Sequence, residues 1–133
     1  MHWSRFFLTL LAAGVGTSLT DWLFFGVLFH DRNNVYPEVW RPRQGGEGGK
    51  VAWSTLVTLF TCAMFIHASD HFDLTSLHYK VAFAMAIWFI ACVPMIVTNG
   101  IWMKLHPLVS LAHALGWLAK LVVIALAIHW LLK

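Results

Sequence analysis

Two charged side chains lie inside the long apolar stretches of this chain, and they are the first candidates for chemistry. Asp21 falls within the first stretch and Lys120 within the last, whereas the other Lys, Arg, Asp and Glu residues lie at the ends of the stretches or between them. Ionisable side chains inside a membrane span are rare, face the interior of a helix bundle, and often mark ion, proton or ligand sites. The two opposite charges therefore predict a buried ion pair or a polar site within a membrane.

The depths of these residues allow them to meet if the helices that carry them are antiparallel. Counted along each helix, Asp21 lies roughly 13 Å from His30, and Lys120 lies roughly 20 Å from Pro107 on the same membrane side. The stem of a lysine side chain covers the remaining gap of roughly 6 Å. His113 precedes Lys120 by seven residues and so shares its helical face. The sequence therefore predicts an intramembrane polar site at Asp21, His113 and Lys120.

Small residues predict that the first and last helices pack closely around this site. They recur at spacings of three to four, the usual contact pattern between membrane helices, and they are Ala13, Gly14, Thr17, Ser18 and Gly116. Three interpretations of the charges then stay open. The pair locks the helices without any further role, or it belongs to a polar pathway or ligand site, or the two charges bind other groups and do not pair.

A second group of candidates surrounds the end of the second apolar stretch. His67 and His71 are four residues apart, which places both on one helical face, and His78 follows in the sequence HASDHFDLTSLH. This spacing suits a metal site, with Asp70 or Asp73 as an additional oxygen ligand. The alternative is that these histidines lie at the membrane boundary without binding metal.

The composition requires membrane helices to position these residues. Hydrophobic residues make up 59% of the chain and charged residues 11%, against roughly 45–50% and 25% in soluble proteins. Within a bilayer the backbone must satisfy its own hydrogen bonds, and long apolar runs without alternation then favour α-helices. We expect an all-α transmembrane bundle of four helices, at about 6–29, 51–69, 81–102 and 108–132, each near the roughly 20 residues that span a bilayer.

The joins between the spans complete a single four-helix domain over residues 1–133. A polar, glycine-rich loop is predicted at 31–50, and Pro94 should kink the third helix. Cys62 and Cys92 fall within helices and predict no disulfide. The first helix is interpreted as retained and not as a cleaved signal, because its apolar character continues past Asp21. The positive-inside rule places the termini outside.

The first helix also carries a resemblance to a known family. The segment GVGTSLTDWLFFGVLF at 14–29, followed by Trp40, resembles the opening of small bacterial four-helix membrane proteins grouped as domain of unknown function 1761. Asp21-Trp22 stands where that family more often has Trp-Tyr, and His30 replaces a glycine. The resemblance implies a multi-pass protein of the bacterial inner membrane, and it implies no activity or site residues.

Three functional classes follow from these features. The first is a small transporter or channel subunit that uses the Asp21, His113 and Lys120 site, which requires a homo-oligomer or a larger membrane complex because four helices enclose little space. The second is a structural or accessory subunit whose Asp21–Lys120 pair only stabilises the bundle. The third is a membrane metalloenzyme that uses His67, His71 and His78. No cofactor is required, the partner is the lipid bilayer, and basic residues that flank spans predict no nucleic acid binding.

Overall fold

The computed structural model describes residues 2–31, 35–39 and 48–132, and in this part of the chain four helices are long and apolar enough to cross a membrane. They are α1 (Trp3–Leu28), α2 (Gly48–His71), α3 (Leu77–Trp102) and α4 (Pro107–Leu131). The predicted all-α four-helix fold is confirmed. The expected ends at 6, 51 and 81 lie three to four residues inside the observed helices, because a helix continues past its apolar run into the interface.

The largest boundary correction concerns the loop predicted at 31–50. Gly48, Gly49 and Lys50 form the first turn of α2 instead of ending a flexible tether. The loop also contains a short 3₁₀ turn, Pro37–Val39. The remaining loop residues, 32–34 and 40–47, lie outside the described part of the chain. Trp40, Gly45 and Gly46 of the predicted glycine-rich loop are among them.

Two helices contain π-helical segments. In α3 the segment is Trp88–Cys92, which ends two residues before Pro94, whose missing N–H interrupts the regular hydrogen-bond ladder. The kink predicted at Pro94 stays a prediction. In α1 the segment is Trp22–Leu28, which begins directly after Asp21. Such segments occur often at functional sites.

The bundle core is built around α4 and takes buried residues from all four helices. α1 packs against both α2 and α4, and α3 packs mainly against α4. Thr9, Ala13 and Thr17 are fully buried on α1, which confirms part of the predicted small-residue stripe. α4 contributes the largest set of buried residues, namely Val109, Ala112, Gly116, Lys120, Leu121, Ile124, Ala125 and Ile128. This spacing of three to four along α4 makes it the central helix.

The connection between α2 and α3 is closed by a helix-capping motif and a buried lysine. Leu74 N–H donates to Ser69 C=O and Asp73 N–H to Asp70 C=O, with Asp73 in the left-handed region at φ 49°. These are the bonds of a Schellman motif. Lys80, which precedes the third span expected at 81–102, is 6% exposed in α3 and donates to the carbonyls of Leu74 and Thr75.

Candidate polar site between α1, α2 and α4

Asp21 and Lys120 pair directly across the interface of α1 and α4. Lys120 Nζ lies 2.6 Å from Asp21 Oδ1, and the side chains are 11% exposed for Lys120 and 29% for Asp21. Lys120 Nζ also lies 4.9 Å from the centroid of the Trp117 ring, which is a cation–π contact. The structure thus contradicts the interpretation in which the two charges bind other groups. Helix depth and helical face were sufficient to predict this contact.

His113 lies beside the pair, as predicted from its spacing to Lys120. Its imidazole ring is 4.6 Å from the ring of Phe25 on α1, and it interacts electrostatically with both Lys120 and Asp21. The side chain is only half-buried. A carboxylate, an ammonium group and an imidazole therefore share one wall of the bundle, where the low dielectric makes their interactions stronger than in water.

Gly116 lies against Phe24 and Phe25 of α1 in this wall, with room for ordinary van der Waals contact. An added Cβ at Gly116 would lie 3.7 Å from atoms of both Phe24 and Phe25 on α1. The Thr17 hydroxyl group, one turn before Asp21, donates within its own helix. Its Oγ1 lies 2.8 Å from Ala13 C=O and 3.0 Å from Gly14 C=O. Asp21 therefore has Lys120 as its charged partner.

A cleft of about 960 Å³ opens beside the ion pair. It is lined by Ser18, Asp21, Trp22, Phe25 and Gly26 of α1, by Lys50, Val51, Ser54, Thr55 and Thr58 of α2, and by His113, Gly116, Trp117 and Lys120 of α4. Within the described residues, none of α3 lines the cleft. The described residues that bound the cleft belong to α1, α2 and α4.

The hydroxyl strip of α2 has two roles. Ser54, Thr55 and Thr58 line the cleft, whereas Cys62 is fully buried in the core one turn further along. Thr55 Oγ1 donates to Val51 C=O at 2.9 Å, so its own helix satisfies that hydrogen. This face of α2 therefore lines the cleft at Ser54, Thr55 and Thr58 and packs in the core at Cys62.

Lys50 is the cleft residue that sequence reasoning missed. It was counted as a loop charge, because the second span was expected to begin at residue 51. Its spacing of four to Ser54 and eight to Thr58 is the signal that identifies it, once α2 is extended to include it. The error in the helix boundary thus removed one charge from the predicted site.

The histidine group at the end of α2 is not assembled into a metal site. His67 and His71 are stacked at 6.3 Å between ring centroids, so the predicted shared face is present. His78 instead lies on α3 with its ring 5.8 Å from that of Tyr79. No group of three or more His, Cys, Asp or Glu side chains among the described residues is placed to hold a metal ion. The capping turn separates His78 from the α2 pair, which corrects the predicted site at His67, His71 and His78.

A smaller cavity of about 280 Å³ lies at the opposite end of the bundle. Its lining includes Ser69, Asp70, Asp73, Lys80 and His129. The Lys80 ammonium there already binds two loop carbonyls, which gives it a structural role. The large cleft is consequently the main candidate site. Comparisons of the chain with family models, curated proteins and solved structures found no match.

Proposed function

We propose that this protein is a subunit of a small transporter or channel, in which a proton, ion or small solute occupies the cleft at Asp21, His113 and Lys120. The observation that supports this function is the cleft of about 960 Å³ that reaches an ion pair inside the membrane bundle. Charged residues within spans are costly and usually line ion or solute pathways. A pair that served packing alone would not need a cleft beside it.

The local geometry of α1 gives further support. The π-helical segment Trp22–Leu28 begins directly after Asp21, so the backbone is irregular where the carboxylate meets the cleft. Broken or irregular helices at ion sites are common in transporters. His113 adds a group that both donates and accepts protons near neutral pH. The site thus combines two fixed charges with one group suited to proton exchange.

An oligomer or a larger complex is part of this proposal. The cleft is lined by α1, α2 and α4, and a second copy of the chain would supply the missing wall. In this proposal the protein is a multi-pass component of the bacterial inner membrane, with its termini outside. Neither a cofactor nor a metal is needed for the movement of a solute.

A structural or accessory subunit is the second candidate, and one observation favours it. Lys120 is satisfied on two sides, by the Asp21 carboxylate and by the face of the Trp117 ring. A pair with this geometry holds α1 and α4 together without any ligand. The two candidates differ in whether neutral replacements abolish solute movement when the bundle is still folded.

The test is a flux assay on the double variant Asp21→Asn/Lys120→Met in proteoliposomes. Removing both charges leaves no unpaired ion, so the protein is expected to fold, while movement of the solute should fall at least about tenfold if the pair forms the solute site. The panel contains protons, an organic anion, an organic cation and a neutral solute.

The matched control for this test is Asp31→Asn/Lys104→Met. It removes the same charges from exposed positions that do not line the cleft, so its flux should equal that of the wild type. Absence of flux in the wild type for every solute, or full flux in the Asp21→Asn/Lys120→Met variant, would contradict the transport proposal.

A further inference from the structure

The charges that line the cleft do not balance. Its ionisable residues are Asp21 on α1, Lys50 on α2, and His113 and Lys120 on α4. Asp21 neutralises Lys120 at 2.6 Å, whereas Lys50 forms no ion pair with any other described residue. With His113 neutral, the described lining residues carry one positive charge, that of Lys50, in excess of their negative charge. A single anionic group would complete this set.

The position of the unpaired charge defines where an anionic group would bind. Lys50 is exposed in the first turn of α2, and Thr58 lies roughly 12 Å further along the same helix. The N-terminal end of a helix dipole adds positive potential at the same end. Lys120 is the less suitable partner, because an anion that displaced Asp21 would leave that carboxylate unpaired, at a high free-energy cost.

The remaining lining combines hydroxyl groups with apolar and aromatic side chains. Trp22 and Phe25 of α1 and Trp117 of α4 contribute three aromatic side chains, and the hydroxyl of Ser54 lies one turn from Lys50. The cleft volume is in the range of pockets that enclose small organic ligands, about 300–1,000 Å³. A ligand with an anionic head and an apolar body therefore matches both ends of the cleft.

We infer that the cleft binds an amphiphilic anion, with its carboxylate or phosphate head at Lys50 and its apolar body against Trp22, Phe25 and Trp117. This inference rests on the proposed function, because it names the substrate class of the same cleft. An organic cation would meet the unpaired ammonium of Lys50, and a neutral amphiphile would leave that charge uncompensated. An anionic head of this kind occurs both in free fatty acids and in anionic phospholipids.

Three eight-carbon probes test the charge of the ligand. Octanoate, octylammonium and octanol are titrated calorimetrically into the protein in phosphatidylcholine nanodiscs, and the signal of empty nanodiscs is subtracted. Octanoate should bind the wild type more tightly than the other two probes. Lys50→Gln should weaken octanoate binding about tenfold, the loss of about 1.4 kcal/mol expected for one charge-assisted contact.

Lys104→Gln is the matched control, because Lys104 is exposed on the same membrane side and does not line the cleft. It should bind octanoate as the wild type does. Equal binding of octanoate by Lys50→Gln and wild type, or equal binding of octanol and octanoate, overturns the inference. Tighter binding of octylammonium also overturns it but leaves the cleft as a solute site. Absence of binding by all three probes overturns the inference, whereas the flux assay on Asp21→Asn/Lys120→Met decides the proposed function separately.

A second arm separates the two sources of the anionic head. The octanoate titration is repeated in nanodiscs that also contain phosphatidylglycerol. Weaker apparent octanoate affinity in the wild type, without that change in Lys50→Gln, supports a phospholipid headgroup as the occupant. Unchanged affinity supports a free amphiphile. Both results require the same Lys50 contact.

Discussion

At the residue scale, the cost of burying a charge governs what Asp21 and Lys120 contribute. Each charge loses hydration when it enters the bundle, and their attraction offsets this loss only while both are present. The 2.6 Å contact and the Trp117 ring beneath Lys120 provide that compensation. The Asp21 side chain is still 29% exposed, so the pair is less desolvated than one in a closed core.

The first prediction concerns the coupling of these two residues. Asp21→Asn and Lys120→Met should each destabilise the bundle, by less than the about 3–5 kcal/mol typical of a fully buried pair, because the Asp21 side chain is 29% exposed. The double variant should lose less stability than the sum of the two single variants. Thermal unfolding of all four proteins in detergent measures the coupling.

One result of these unfolding measurements would contradict the predicted coupling of Asp21 and Lys120. If the stability losses of the two single variants add up to the loss of the double variant, the two side chains do not stabilise each other. The 2.6 Å contact then contributes no coupling free energy. The pair Asp31→Asn and Lys104→Met provides the background, since both residues are exposed and each single change should leave stability within about 0.5 kcal/mol.

At the element scale, two glycines set the distance of α1 from its neighbours. A Cβ at Gly16 would lie 2.6 Å from Val123 Cγ1 on α4, and a Cβ at Gly14 would lie 2.7 Å from Leu59 Cδ2 on α2. Neither distance is tolerated without movement. The leucine methyl terminates a flexible side chain, but the valine is branched at Cβ and has one favoured rotamer in a helix. The α1–α4 contact is therefore the stiffer of the two.

The second prediction follows from this difference. Gly16→Ala should lower stability by about 1–3 kcal/mol through overpacking against Val123, and Gly14→Ala should lower it less because Leu59 can rotate away. Val123→Ala in the Gly16→Ala background should recover part of the loss. Unfolding temperatures in detergent report each effect.

Gly100→Ala is the control for the helix propensity of alanine. Its Cβ would lie 3.5 Å from Ser110 Oγ, which is ordinary contact, and the change should be neutral or stabilising by up to about 1 kcal/mol. Equal stability for the Gly16→Ala variant and the wild type would show that α1 and α4 can separate without cost.

The third prediction concerns the bond between α3 and α4. Trp88 Nε1 donates to Ala114 C=O at 2.8 Å from the π-helical turn before Pro94. Trp88→Phe removes this bond and should destabilise the bundle by about 0.5–1.5 kcal/mol. Trp102→Phe is the same change at a side chain that is 83% exposed, and it should have little effect on unfolding. An equal effect of both changes would assign the loss to aromatic area alone.

At the scale of the whole molecule, the four helices do not enclose the cleft. α1 contacts both α2 and α4, and α3 contacts mainly α4, so none of the described residues of α3 covers the polar lining between α2 and α4. Hydroxyl and charged groups at such an opening would face lipid in a single chain. A second copy that covers the opening would satisfy them.

The fourth prediction is that copies of this chain meet at the cleft. Ser54→Cys should form a disulfide-linked dimer in native membranes, because Ser54 is exposed and lines the opening. Ile101→Cys, at a position 73% exposed on α3, is the control and should remain monomeric. Native Cys62 and Cys92 are buried free thiols and should not interfere. Monomers for both variants, together with the native mass of one chain, would contradict an oligomer with this interface.

Helix number, approximate spans and the pairing of Asp21 with Lys120 were predictable from the sequence for local reasons. A bilayer requires each segment to satisfy its own backbone hydrogen bonds over about 20 apolar residues, which is a property of the segment alone. Depth and helical face follow from counting residues along a helix. These two counts were enough to place opposite charges at one level on facing helices.

The distances between helices, and the residues that meet across them, were decided only by the tertiary structure. Contacts between distant segments, such as Gly16 with Val123, determine how closely each pair of helices approaches and where space remains. They make Lys50 part of the cleft and bury Lys80 beneath the α2–α3 turn, while His78 is separated from His67 and His71. Residue spacing within one helix carries no information on these distances, because they depend on side-chain packing between helices.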